Sequence, residues 1–184
     1  MKIGIISDTH GSVTAWQLAC ANCFTDTDLI VHCGDILYHG PRNPLPEGHN
    51  PSALAQQLNS YSKPIIFAKG NCDADVDQLL IDLPIEAPYT HLITPDYRIL
   101  IHHGHQFSET NIPVKTKSHY KISISGHTHI RRCETIDGMV FINPGSPALP
   151  KNEDNIPTVA VLEGYEVKFL NILNGNIVAS YKFS

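Results

Sequence analysis

Five short apolar runs, each leading straight into aspartate, asparagine or histidine, constrain this chain more than any other feature. They fall at residues 3–6, 29–31, 65–68, 99–101 and 122–124. Runs so rich in Ile, Val and Leu, without polar alternation, read as strands buried on both faces. Helix-like segments separate the first three. One spans residues 13–24 after Ser12, a candidate N-cap, and the other spans residues 52–58 after Pro51. Strand, helix, strand, helix, strand predicts a layered α/β core. The last third differs: residues 139–142, 158–162, 166–172 and 177–183 read as alternating antiparallel strands, with hairpin signals at Gly164-Tyr165 and Asn174-Gly175-Asn176.

The residues just beyond each run carry the chemistry. IGIIS leads into Asp8-Thr9-His10 and LIVHC into Gly34-Asp35. IIFAK leads into Gly70-Asn71-Cys72-Asp73, ILIHH into Gly104-His105, and ISIS into Gly126-His127-Thr128-His129. α/β folds build their sites at the carboxyl ends of such strands. Residues two apart on an extended chain point the same way, so Asp8 pairs with His10 and His127 with His129. A single D-x-H is usually a cap or a surface pair, and a single G-D is a common turn. Five such stations in one chain point to metal binding.

Composition bounds the rest. A length of 184 residues, 42% hydrophobic and 17% charged, fits one domain spanning residues 1–184. A net charge of -5 argues against a nucleic-acid partner, which calls for clustered Lys and Arg. The N-terminus lacks the pattern of a signal peptide, and no run approaches the ~18 apolar residues of a membrane helix. A soluble, cytoplasmic protein is expected, with no membrane partner. Cys20 and Cys23 form a C-x-x-C that reads as two buried cysteines on a helix face. Residues 38–51, YHGPRNPLPEGHNP, read as a long ordered loop.

The ordered set D-x-H, G-D, G-N-x-D, H-G and G-H-x-H resembles the calcineurin-like metallophosphoesterases, from Asp8 to His129. N-P-G-S at residues 143–146 resembles their small bacterial phosphodiesterase branch. The resemblance implies a four-layer sandwich of two facing mixed β-sheets flanked by helices, with a dinuclear metal centre between strand ends. It implies that Asp8, His10 and His129 hold one ion and that Asn71, His103 and His127 hold the other. Asp35 would bridge the two. The family's H-G pattern selects His103 over His102, which points to the opposite face, and over His105, which lies near the site without ligating. Asp35, Asn71 and His103 would be the residues closest to catalysis. A ligand set without thiolate suits Mn, Fe, Zn, Co or Ni, and manganese fits the resemblance best. The implied reaction is hydrolysis of a small phosphodiester by in-line attack of a hydroxide bridging the two ions.

One position departs from the family. Many members with strong phosphatase activity carry histidine after G-N, where it can protonate the leaving group. Here it is Cys72, whose thiol is a poor acid, so substrates with good leaving groups are expected. Asp73 reads as a cap on the following helix. His39, Arg42, Cys72 and His105 are the candidate substrate contacts, with His49 another loop histidine within reach. His32 reads as a satisfied core residue, and His91 and His119 as surface positions. The main alternative is a protein-interaction scaffold, since a branch of the same fold serves retromer in that way. The C-terminal hairpins leave room for a homo-oligomer.

Overall fold

The computed structural model describes residues 1–112 and 117–184. Its first sheet has seven strands in the order β12-β11-β10-β1-β2-β3-β4. These are β1 (Lys2–Ile6), β2 (Leu29–His32), β3 (Ile65–Ala68), β4 (Ile85–Glu86), β10 (Thr158–Glu163), β11 (Glu166–Asn171) and β12 (Ile177–Lys182). The second sheet has five strands in the order β5-β6-β7-β9-β8. They are β5 (Thr90–Ile93), β6 (Arg98–Ile101), β7 (Ile122–Ile124), β8 (Arg131–Ile136) and β9 (Met139–Pro144).

All five expected apolar runs are strands. β1, β2, β3 and β4 run parallel, as do β6, β7 and β9. Between the first three lie α1 (Val13–Asn22) and α2 (Pro51–Asn59). Ser12 caps α1 by accepting from the amide of Ala15, and Asn50 caps α2 by accepting from Ala53. The helix expected to reach residue 24 stops at Asn22. Sequence alone missed β4, β5 and β8, which are short or lie at sheet edges. The expectation for residues 139–142 needs correction: β9 is antiparallel only to β8, is parallel to β7, and is buried along its whole length. A strand in the middle of a covered sheet has no solvent face on which to place polar residues.

The faces of the two sheets meet in one apolar layer. Ile3, Ile5 and Val31 on one side pack against Ile99, Ile101 and Ile124 on the other. Each is almost wholly removed from water, a gain of about 1.5–3 kcal/mol per side chain. The outer face of the first sheet packs on α1 and α2 through Trp16, Phe24, Leu54 and Phe67. The outer face of the second is covered in part by Phe107, Ile112 and Tyr120. Residues leaving the carboxyl ends of β1, β2, β3, β6 and β7 carry the five chemical stations, and the packing of the two sheets sets how far apart those stations stand.

His32, at the end of β2, is a satisfied core residue. The Thr9 hydroxyl donates to the Ile36 carbonyl (2.9 Å), so His32 Nε2–H donates to Thr9 Oγ1 (3.0 Å) while Nδ1 accepts from the Gly34 amide (3.2 Å). A second proton on Nδ1 would face an N–H. Burial moves the imidazole down from 6.5 to about 3. Above 6.5 it is neutral whether the chain is folded or not, and its contribution is complete. Below 6.5 the unfolded chain takes up the proton first, and stability is lost toward about 3. Urea denaturation at several pH values should show His32→Gln flattening the acid side of the stability profile. Parallel slopes for variant and parent would contradict this account.

Candidate metal centre

Five of the candidate ligands sit in a backbone conformation that side chains avoid. Asp8, His10, Asp35, His127 and His129 have φ of 56°, 47°, 54°, 70° and 62°. Left-handed backbone at non-glycine residues costs on the order of 1–3 kcal/mol each and persists only where surrounding structure imposes it. Here the amides of Asp8 and His10 donate to the carbonyls of Gly34 and Asp35, both at 3.0 Å, which locks the two loops together. Gly126 allows the third loop to approach: a Cβ there would lie 1.8 Å from Ser7 Oγ and 2.6 Å from Asp8 Oδ2. The His127 amide then donates to Asp8 Oδ2 (2.9 Å).

The imidazoles are aimed by backbone carbonyls. His10 Nδ1–H donates to Tyr38 O (2.9 Å), His129 Nδ1–H to Leu149 O (2.7 Å) and His103 Nδ1–H to Cys33 O (2.8 Å). A carbonyl only accepts, so each Nδ1 carries the hydrogen, and each ring, when neutral, turns a bare Nε2 inward. His10 Nε2 and His129 Nε2 face one another at 3.1 Å. Asp8 Oδ1, fully buried and without a hydrogen-bond partner, lies 3.3 Å from His129 Nε2 and 3.8 Å from His10 Nε2. On the other side Asp35 Oδ2 is 3.3 Å from His103 Nε2 and 3.8 Å from His10 Nε2, and Asn71 Oδ1 is 3.0 Å from His103 Nε2. The lone pairs of His10, His129 and Asp8 repel at such distances unless a cation stands among them, and the residues therefore fit a metal.

Electrostatics agree. Burial pushes the Asp8 carboxyl up, but the neighbouring His129 and the charge of His103 outweigh that and hold it well below the usual carboxylate range. Burial opposes charge on His103, yet bonding to Asp35 and the charge of Asp8 raise it to about 9. Burial lowers His10 and His127. In the absence of an ion, the proton on His103 is the compensating charge.

Among the described residues, three sets of side chains each bring their ligand atoms within 4.8 Å of one another: Asp8, His10 and His129; Asp8, Asp35 and His103; and His10, Asp35 and Cys72. Asn71 joins the second through His103. His127 belongs to none of these sets. It is half-buried, with its ring edge-on to His103 at 5.1 Å. Cys72, expected near the site as a candidate substrate contact, also stands where its sulfur could join His10 and Asp35 as a ligand. Its amide donates to Asp35 Oδ1 (2.8 Å), and Asn71 Nδ2 donates to its sulfur (3.3 Å). Burial, followed by the charge of Asp35, pushes the thiol up to about 12.

The centre opens on a cleft of about 840 Å³. Of the candidate substrate contacts, Arg42 and Cys72 line it and His39 and His105 do not. His39 packs edge-on against His49 instead (5.4 Å), and His105 stands beside His103 and His127 at 5.4 and 6.2 Å. Lys151 also lines the cleft and had no signal in the sequence. His102 turns away from the centre to bond Ser123 (2.9 Å), and His91 and His119 are exposed.

Two supporting groups emerge only in three dimensions. The 143–146 motif ties the loops together: Asn143 Nδ2 donates to the Gly126 carbonyl (2.7 Å), and Ser146 Oγ donates to the Asp8 carbonyl (2.8 Å). Asp73 does not cap the following helix, which corrects the expectation. Asp77 accepts from the Ala74 amide there (2.9 Å). Asp73 is instead buried beneath the centre and accepts from the amides of Asp35 (2.8 Å), Ile36 (2.7 Å) and Gly70 (2.7 Å). Burial raises its carboxyl to about 6, against the pull of the Ile36 and Gly70 amides.

Comparison with known proteins gives a consistent picture. Residues 1–166 match the family model of the calcineurin-like phosphoesterase superfamily domain. The chain is 34% identical to phosphodiesterase YfcE of Escherichia coli over 97% of its own length and 96% of the relative's. A solved structure of YfcE, described as a phosphoesterase, superposes with a TM-score of 0.90 at 32% identity, covering 100% of both chains. Vacuolar protein sorting 29 of Cryptosporidium parvum superposes with a TM-score of 0.67 at 18% identity, covering 100% of this chain and 97% of that one, a likeness of fold alone.

Asp73→Asn keeps the shape but turns an N–H donor toward at least one buried amide. Urea denaturation should show a loss of about 1–3 kcal/mol. A variant as stable as the parent would mean that these three bonds do not hold the Asp35 loop.

Proposed function

The chain belongs to the calcineurin-like phosphoesterase superfamily, and from that premise we propose that it hydrolyses a small phosphodiester at a centre of two divalent ions. Asp8, His10 and His129 would hold one ion, Asn71, His103 and His127 the other, and Asp35 both. The observation that carries this reading is the pair of inward-facing nitrogens of His10 and His129, with the orphaned Asp8 oxygen beside them. When bound, such a pair of ions supplies a hydroxide nucleophile near neutral pH and neutralises charge on the phosphate. Manganese is our choice of metal, from the oxygen and imidazole character of the set.

The protein's own groups do the rest. His103 would hold an ion through the same Nε2 that carries its proton, so loading would release acid. Asn71 turns Oδ1 toward His103 and keeps its amide hydrogens toward the cleft side occupied by Cys72, where they orient substrate oxygens. A thiol held at about 12 does not protonate a leaving alkoxide at neutral pH, and substrates that depart as stable anions are favoured. Residues 1–184 act as one catalytic unit. Its five free cysteines suit a reducing, cytoplasmic setting, and among the described residues no helix is long and apolar enough to cross a membrane.

Purified protein should retain metal through gel filtration and turn over bis(4-nitrophenyl) phosphate. Asp35→Asn should lose most of both, as read by elemental analysis and by release of nitrophenolate. Metal bound without turnover of any phosphoester would favour the scaffold instead. Cys72→His should raise activity on esters with poor leaving groups by up to about 100-fold. An unchanged rate would show that position 72 does not face the departing oxygen.

A further inference from the structure

The walls of the cleft carry more positive charge than a simple diester needs. Apart from the candidate ligands, its lining includes Arg42, Lys151, Tyr38, Cys72 and Thr128. Ion pairs among the described residues engage Lys2, Lys69, Lys117, Arg131, Arg132 and Lys168, and neither Arg42 nor Lys151 is among them. Both cations come from segments tied to the centre. The Lys151 amide donates to the His129 carbonyl (3.1 Å). The Arg42 segment is anchored by Asn43 Nδ2 to His39 O (2.8 Å) and by Tyr38 O to His10 (2.9 Å). Among the described residues, Asp35 is the only carboxylate in the lining.

A diester carries one negative charge, which falls to the metal centre. Two further cations in a chain of net charge -5 call for further anionic groups on the ligand. The lining has a second peculiarity. Among the described residues outside the candidate ligands, it contains no carboxyl and no imidazole, the usual groups for protonating an alkoxide. A phosphate monoester leaves as a stable anion, its second ionisation falling near pH 6, and needs no such proton. Both features are met by one kind of bond.

We infer that the scissile bond is a phosphoanhydride, in a pyrophosphate bearing an organic group at each end, and that Arg42 and Lys151 receive the departing phosphate. This rests on the hydrolytic reading above. The oxygen of water bonds to one phosphorus. The bond from that phosphorus to the bridging oxygen breaks, and the electron pair stays with that oxygen on the second phosphate. The two protons of water pass to the two phosphate products or to solvent. Tyr38, 45% exposed and lining the same cleft, offers a ring face to a planar substituent such as a nucleobase.

The test uses manganese-loaded full-length protein and three substrates: diadenosine diphosphate, the same two nucleosides joined by a single phosphate, and bis(4-nitrophenyl) phosphate. The expected result is release of AMP from diadenosine diphosphate with kcat/KM at least about tenfold above that for the single-phosphate dinucleoside. In the double variant R42E/K151E, kcat/KM on diadenosine diphosphate should fall about tenfold or more relative to that on bis(4-nitrophenyl) phosphate, chiefly through KM. Calorimetry with the methylene-bridged analogue should show the same loss of affinity without turnover. Both side chains are exposed, so the variant should fold, as its circular dichroism would show. Hydrolysis of bis(4-nitrophenyl) phosphate without preference for the diphosphate, or a ratio unmoved by charge reversal, overturns this inference alone. Hydrolysis of none of the three overturns it together with the hydrolytic reading.

Discussion

Three backbone carbonyls, those of Cys33, Tyr38 and Leu149, determine what this molecule can bind. Each accepts the Nδ1–H of one imidazole, and each thereby turns an Nε2 lone pair toward the same small volume. Without those bonds the rings would be free to flip, and the buried oxygen of Asp8 would face solvent or apolar surface instead of nitrogen. With them, the interior holds an electron-rich pocket that only a proton or a metal ion can neutralise.

Holding that arrangement takes a rigid frame. The loops carrying Asp8, His10, Asp35, His127 and His129 are strained into left-handed backbone, and each is bonded to another loop. Asp73 ties together the loops of the first sheet, Asn143 ties those of the second, and Ser146 joins the second sheet's loops to the first's. The apolar layer between the sheets supplies the stability against which this strain is held. The same packing explains why the site lies at the sheet ends rather than in a surface groove: only there do chains from both sheets leave on the same side.

The cleft above the centre differs in character from the centre itself. The centre is buried, and its imidazoles and carboxylates compensate one another. The cleft is open, lined by prolines, an exposed tyrosine and two cations without carboxylate partners. In the proposed reaction, chemistry of the phosphate and recognition of what is attached to it would therefore reside in separate parts of the molecule. Loops diverge more readily than the strands that position a metal.

Much of this was legible before any coordinates. Buried parallel strands announce themselves as unbroken Ile, Val and Leu, and so IGII, LIV and ISI identified both the frame and the places where it stops. Ser12 declared the start of α1 by its capping chemistry. Edge strands β4, β5 and β8 did not, because a half-exposed strand of mixed residues has no periodicity of its own. Asp73 could not be read, since an aspartate before a short helix looks like a cap until the amides of Asp35, Ile36 and Gly70 are seen converging on it. That the Cys72 sulfur comes within reach of a metal held by His10 and Asp35, and that Lys151 lines the same cleft as Arg42, was equally hidden: both depend on how the loops fold over the strand ends. The sequence by itself determined which side chains stand at the strand ends, because hydrophobic periodicity is local. Only the tertiary structure decided which of them meet, because that depends on how two sheets pack and on which carbonyls happen to lie behind each ring.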